Sequence, residues 1–168
     1  IEGESALVKR AKRMVINYSI GAECFNLFVT KQTPSELKSM ALYLDPDVFS
    51  LDIDGNDYYI AKALIEVGFR PKIFVVEYNS VFGSQKCCTV KYDPKFVYTE
   101  AHPSHLYYGV SIGGWRKFFE SNNYRFVTVD CNGVNAFFVD IDSFDPRFLS
   151  EIDSRDYAEN QLQLKFFK

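Results

Sequence analysis

Acidic side chains follow two apolar runs of the sequence, and their types and spacing make them the strongest candidates for chemistry. Asp52 lies near the end of the first run and Asp54 and Asp57 follow it, while Glu77 ends the second run and Asn79 follows it. Carboxylate and amide oxygens in this arrangement can bind Mg²⁺ or Ca²⁺, or they can orient a substrate hydroxyl and accept its proton. A structural alternative is that the aspartates only cap a helix, but a cap needs one carboxylate and this segment holds three.

The two apolar runs, 48–53 and 73–77, must be neighbouring parallel strands if these side chains are to meet. Both runs have the continuous hydrophobicity of buried strands, and the apolar stripe between them predicts a helix over 57–67 that Gly68 ends. A strand-helix-strand unit has a right-handed crossover, which makes its strands parallel. Because ligands bind beyond the carboxyl ends of parallel strands, we expect one acidic crevice at that edge.

Apolar periodicity predicts three further helices, over 4–16, 33–44 and 111–121. Thr33 is the predicted N-cap of the second of these helices, because a proline and a glutamate follow it in the order of a capping box. Asp45-Pro46 is predicted to stop that helix, since proline cannot continue it.

An aromatic-rich connection over 78–108 shows no clear period, and a connection of this length is typical of a lid or binding loop. Two β-rich segments, 126–130 and 134–139, flank Asn132-Gly133, which predicts an antiparallel hairpin with a two-residue type I′ turn. The tail over 143–168 has no period that predicts an element.

The composition excludes several classes of protein. The 168 residues are 47% hydrophobic and 24% charged, which is typical of one globular domain, here placed over 1–142. The formal net charge of -3 gives no positive field that would attract nucleic acid or an anionic membrane. No apolar run approaches the roughly 20 residues of a membrane span. The four cysteines lack metal-site spacing, which favours reduced thiols and a cytoplasmic location.

Four segments, taken in order, resemble the FkbM-like branch of class I S-adenosylmethionine-dependent methyltransferases; they are 49–58, 70–79, 107–109 and 132–139. The resemblance covers most of residues 1–142. It implies a Rossmann-like, mostly parallel sheet of order 3-2-1-4-5-7-6 that ends in an antiparallel hairpin. On this register the chain begins at the end of strand 2, so we expect an N-terminally incomplete domain that lacks strand 1 and its glycine-rich loop.

The resemblance also implies S-adenosylmethionine as the cofactor and transfer of its methyl group to a hydroxyl of a sugar or small metabolite. Glu2 and Asp52 are then the cofactor-binding residues. The catalytic candidates are Asp52, Asp54, Asp57, Glu77 and Asn79. An optional Mg²⁺ would be held by Asp54, Glu77 and Asn79.

Two other functions stay open at this point. Asp52, Asp54 and Gly55 are similar to the Asp-x-Asp-Gly-Thr motif of haloacid-dehalogenase-type phosphohydrolases, which use Mg²⁺. That family also needs a lysine and an acidic residue after later strands, for which Lys86 and Asp130 are the candidates. The second alternative is a catalytically inactive, methyltransferase-like binding domain.

Overall fold

A four-stranded mixed sheet forms the centre of the computed structural model, which describes residues 1–165. Its strands are β1 (Val48–Leu51), β2 (Ile73–Glu77), β3 (Tyr124–Val129) and β4 (Asn135–Asp140), in the spatial order β1-β2-β4-β3. The α/β class and the C-terminal antiparallel pair are therefore confirmed. The sequence predicted a mostly parallel sheet, but of the three strand pairings in the described residues only β1 with β2 is parallel.

Helices precede, connect and follow these strands. They are α1 (Ser5–Asn17), α2 (Thr33–Met40), α3 (Asp57–Glu66), α4 (Tyr98–Ala101), α5 (Ile112–Glu120), α6 (Pro146–Ser150) and α7 (Gln161–Leu164), with a 3₁₀ turn at Ser80–Phe82. The predicted βαβ unit of β1, α3 and β2 is confirmed. Gly68 has the left-handed φ of 103° that was expected after α3.

One face of the sheet is covered by α3 and α5. Alternate residues of β2, Phe74 and Val76, are fully buried on this face. Phe119 of α5 stacks on Phe138 of β4 with ring centroids 4.3 Å apart. The indole of Trp115 is also buried, and its Nε1 donates to the backbone oxygen of Glu77 at 2.7 Å. This hydrogen bond fixes α5 at the carboxyl end of β2.

The second helix differs from its prediction at both ends. Gln32 is the N-cap of α2, and Thr33 instead accepts a hydrogen bond from the backbone of Thr30 at 2.9 Å. The helix ends at Met40 because Ala41 is already extended, with a ψ of 133°. Between Ala41 and β1 the chain passes through several bends.

The turn between β3 and β4 is longer than the predicted type I′ turn. That turn requires positive φ at both central residues, but of Asn132 and Gly133 only Gly133 has it, with a φ of 72°. The Asp130 carboxylate organises the connection, since it accepts from Val134 N at 2.9 Å and from Asn135 Nδ2 at 3.1 Å. Side-chain hydrogen bonding thus replaces the tight backbone turn.

The C-terminal segment returns to the carboxyl end of β2. Tyr157 donates its hydroxyl to the backbone oxygen of Ser80 at 2.8 Å, and Tyr78 donates to that of Ala158 at 2.7 Å. The backbone of 158–160 also passes close to Gly133. The predicted tail therefore contributes to the structure around β2 up to residue 165.

No helix within residues 1–165 combines the length and the apolar character that a bilayer span requires. All four cysteines are free thiols. The cytoplasmic location stays a prediction.

Gly133 offers a test of how closely the C-terminal segment approaches the sheet. A Cβ on Gly133 would lie 2.5 Å from the carbonyl carbon of Glu159, whereas Gly109 has a similar φ of 62° and open space around it. We expect Gly109→Ala to lower the free energy of unfolding by about 1 kcal/mol through backbone strain alone. Gly133→Ala should cost about 1–3 kcal/mol more because of the clash.

Urea unfolding of both variants measures this difference, and limited proteolysis should cut the C-terminal segment of Gly133→Ala sooner. Equal losses of stability in the two variants would contradict the close approach.

Candidate functional site

The loop after β1 is folded around the carboxylate of Asp57. This side chain is fully buried, and its two oxygens accept from Ile53 N at 3.0 Å and Gly55 N at 2.8 Å. Burial raises the pKa of Asp57 to about 6, although the backbone hydrogen bonds oppose the shift. Because both oxygens are occupied, Asp57 supports the loop and is not free to contact a substrate. The loop turns at Asp54, whose φ of 56° is left-handed.

The aromatic connection 78–108 packs onto this loop. A Cβ on Gly55 would overlap the ring of Phe96, so only glycine allows the ring to lie this close. Asn56 is buried, and its Nδ2 donates to the backbone oxygen of Asp93 at 2.7 Å. These contacts place part of the predicted lid beside the acidic residues.

Carboxylates from two neighbouring strand ends meet at this edge of the sheet. Leu51 of β1 pairs with Val76 of β2, and this register places the residues that follow them side by side. Each of Asp52, Asp54 and Glu77 offers an oxygen that lies within 4.8 Å of the other two. Asp52 and Asp54 are exposed, whereas Glu77 is buried and its Oε2 has no hydrogen-bond partner.

The clustered charges disfavour one another's ionised forms. Burial, followed by repulsion from the neighbouring aspartates, raises the pKa of Glu77 to about 9. Burial raises the pKa of Asp54, and the charges of Asp52 and Glu2 raise it further. Burial also raises the pKa of Asp52. Within residues 1–165, no ion pair includes any of these three carboxyl groups.

Asn79 does not join the cluster, although the sequence placed it there. Its amide is fully buried, and Nδ2 donates to the backbone oxygens of Leu106 at 2.8 Å and Tyr108 at 3.0 Å. Its Oδ1 accepts from Val81 N at 3.1 Å. Asn79 therefore holds the connection against the end of β2, and its oxygen is committed to the backbone.

A cavity of about 490 Å³ joins the N-terminal residues to the acidic loop. Its lining includes Glu2, Gly3, Asp52 and Asp54, together with the aromatic residues Phe28, Phe96 and Tyr98. Glu2 is held by a parallel bridge to Asn26, and its Oε1 accepts from Glu4 N at 2.8 Å. A cavity of about 520 Å³ beside Cys87 and Cys88 contains none of the predicted site residues.

Two residues near the cluster were not predicted from the sequence. Tyr108 is buried, and burial followed by the charge of Glu77 raises the pKa of its hydroxyl. Gln163 donates to that hydroxyl and accepts from Ser80 Oγ at 3.0 Å. The position of Tyr108 in one of the four segments that resemble the methyltransferase family could have indicated it as a site residue. Gln163 lies in the tail, where no sequence pattern indicates a role.

The aspartate under the loop can be tested by an isosteric change. Asp57→Asn replaces one carboxylate oxygen with an NH₂ group, which cannot accept from the backbone N–H that faces it. We therefore expect a loss of about 1–3 kcal/mol in the free energy of unfolding. The amides of Ile53 and Gly55 should exchange faster with solvent, as measured by NMR. Asp54→Asn removes a charge from the same loop and should leave both amides protected. Unchanged exchange in Asp57→Asn would contradict the supporting role.

The buried glutamate predicts a pH dependence of stability with EDTA present. Between the unfolded pKa of 4.5 and the folded pKa of about 9, the folded chain holds a proton that the unfolded chain releases. Stability should therefore fall as pH rises through this window, with a slope of at most about 1.4 kcal/mol per pH unit. Urea unfolding at several pH values should show a shallower slope for Glu77→Gln, and the wild-type slope for the exposed control Glu151→Gln. Equal slopes in wild type and Glu77→Gln would contradict the shift.

No protein-family model, curated protein or solved structure shows a significant match to this chain, and the family resemblance of its segments stays a prediction.

Proposed function

We propose that the protein is an S-adenosylmethionine-dependent methyltransferase that modifies a hydroxyl group of a sugar or another small metabolite. The observation that carries this proposal is the cavity that Glu2, Asp52 and Asp54 line together. Its walls combine several carboxylates with aromatic side chains. A cationic nucleoside with a ribose diol is the kind of ligand that such walls suit, because carboxylates accept from hydroxyls and attract positive charge.

The sheet topology supports the proposal. The order β1-β2-β4-β3, with the last strand in sequence inserted antiparallel, corresponds to the order 4-5-7-6 that the resemblance implies. Strands 2 and 3 are parallel neighbours in that order, and the isolated parallel bridge between Glu2 and Asn26 is consistent with such a pair.

The residues present fit the nucleoside half of the cofactor. Glu2 and Asp52 would accept from the ribose hydroxyls, and Leu27, Phe28 and Phe96 supply apolar surface for the base. When bound, the cofactor supplies a methyl group already activated by its positive sulfur. None of the described residues that line the cavity forms a glycine-rich turn, so the methionine half is assigned to no residue here.

The acceptor side of the reaction is assigned to Asp54. Its carboxylate is exposed in the loop, and its raised pKa makes it a better base than an ordinary aspartate. Asp54 would orient the acceptor hydroxyl and take its proton. Holding the acceptor in line with the donor is the larger contribution, because the donor is already activated.

The phosphohydrolase alternative has weaker support. The carboxylate of Asp130 is engaged in the turn after β3, and the backbone of Lys86 lies against Gly113 on α5. The ion pairs of residues 1–165 leave out the acidic cluster, so no lysine or arginine is paired there that would also balance a phosphate group. These observations favour methyl transfer.

Titration of S-adenosylmethionine into the full-length protein by calorimetry tests the proposal. We expect saturable binding, weakened by about 10-fold in Glu2→Gln through loss of charge-assisted hydrogen bonds to the ribose. Asp54→Ala should bind the cofactor but lose methyl transfer. The exposed variant Glu151→Gln should match wild type in both measurements.

Absence of cofactor binding by the unaltered protein would overturn the proposal. Hydrolysis of a generic phosphate ester with Mg²⁺, abolished in Asp52→Asn, would favour the phosphohydrolase. Binding of neither cofactor nor metal would favour the inactive binding domain.

A further inference from the structure

We propose that Asp52, Asp54 and Glu77 form a binding site for one divalent cation that prefers oxygen ligands, in the class of Mg²⁺, Mn²⁺ and Ca²⁺. The site follows from the arrangement of these side chains and does not require the proposed methyl transfer. It differs from the set predicted from sequence, because Asp52 takes the place of Asn79.

The spacing of the three oxygens suits a single ion. Each carboxylate offers an oxygen within 4.8 Å of the other two. Oxygens bound to one ion lie at most about 4.2 Å apart for Mg²⁺, with bonds of about 2.1 Å, and at most about 5 Å apart for Ca²⁺, with bonds of up to about 2.6 Å. One ion placed among the three can therefore contact them all with small side-chain movements.

The buried oxygen of Glu77 is the observation that points to a ligand. Only 9% of this residue is exposed, and its Oε2 has neither solvent contact nor a hydrogen-bond partner. A buried carboxylate oxygen without a hydrogen-bond partner is costly, and a bound cation is one of the few groups that satisfies it. The free oxygen belongs to the residue that meets the two exposed aspartates.

The charges around the site are consistent with a missing cation. Among the described residues, the ion pairs are Lys62–Glu66, Lys72–Asp47 and Arg116–Asp156, and none includes a residue of the cluster. A divalent cation would supply positive charge that these ion pairs do not bring to the cluster.

The fold leaves the exposed side of the site open for further ligands. Asp52 and Asp54 also line the 490 Å³ cavity, so an ion among the three carboxylates lies at its wall. The remaining coordination positions are then available to water or to a substrate oxygen. If the proposed function is correct, that oxygen is the acceptor hydroxyl, whose pKa the ion would lower.

Titration of Mn²⁺ into chelator-stripped, full-length protein, followed by electron paramagnetic resonance of the free ion at pH 8, tests the site. We expect one Mn²⁺ per chain, displaced by an excess of Mg²⁺ or Ca²⁺. Glu77→Gln, Asp52→Asn and Asp54→Asn should each bind at least about 10-fold more weakly, because each removes a charged ligand. Glu151→Gln should bind as wild type does.

Thermal unfolding separates loss of the site from loss of the fold. Glu77→Gln keeps the shape of the side chain, and it should unfold cooperatively without the stabilisation that Mn²⁺ gives wild type. No binding up to about 1 mM Mn²⁺, or equal binding by Glu77→Gln and wild type, would overturn the site.

The metal site and the proposed function can fail separately. Cofactor titration in EDTA reports on the methyltransferase proposal without metal, and binding there with no Mn²⁺ site would overturn only the metal site. Mn²⁺ binding without any cofactor binding would support the metal site and overturn only the methyltransferase proposal.

Discussion

Parallel pairing of β1 with β2 is the constraint on which the site depends. The register of Leu51 opposite Val76 brings the ends of both strands to one edge of the sheet. The carboxylates at these strand ends therefore lie close together. Like charges at such distances repel, so the surrounding structure must hold them in place. Asp57 holds the loop after β1 by accepting from two of its backbone amides. Trp115 of α5 fixes the backbone of Glu77 by donating to its carbonyl oxygen.

The concentration of negative charge at this edge lowers stability relative to a neutral edge. The sheet itself does not need Glu77 to be acidic, because Glu77 pairs with Asn135 of β4 through its backbone and not through its side chain. Groups that weaken the folded state in this way are typical of functional sites, where the same repulsion favours a bound cation or raises the basicity of a carboxylate. A proton, a metal ion or a cationic ligand relieves the same unfavourable field.

Long segments outside the sheet give the site its walls. The aromatic connection reaches the acidic loop through Phe96 and Asn56, while the C-terminal segment reaches the far side through Gln163 and Tyr108. Both segments are held mostly by hydrogen bonds to backbone atoms rather than by regular elements. The rigid βαβ unit therefore positions the charges, and the irregular segments determine how much of them solvent or a ligand can contact.

The sequence by itself determined the local elements and the meeting of strand ends. The apolar run 73–77 predicted β2 with its observed bounds, because hydrophobic periodicity is a local property. The acidic residues after both runs predicted a shared edge, because the crossover of a strand-helix-strand unit makes its strands parallel. Only the tertiary structure decided which of those residues face the cavity. The carboxylate of Asp57 accepts from backbone amides of its own loop, and the amide of Asn79 donates to backbone oxygens of the connection 78–108. Gln163 was brought in from the tail. Hydrogen bonds between residues far apart in the chain leave no period in the sequence, so their partners are fixed only when the chain folds.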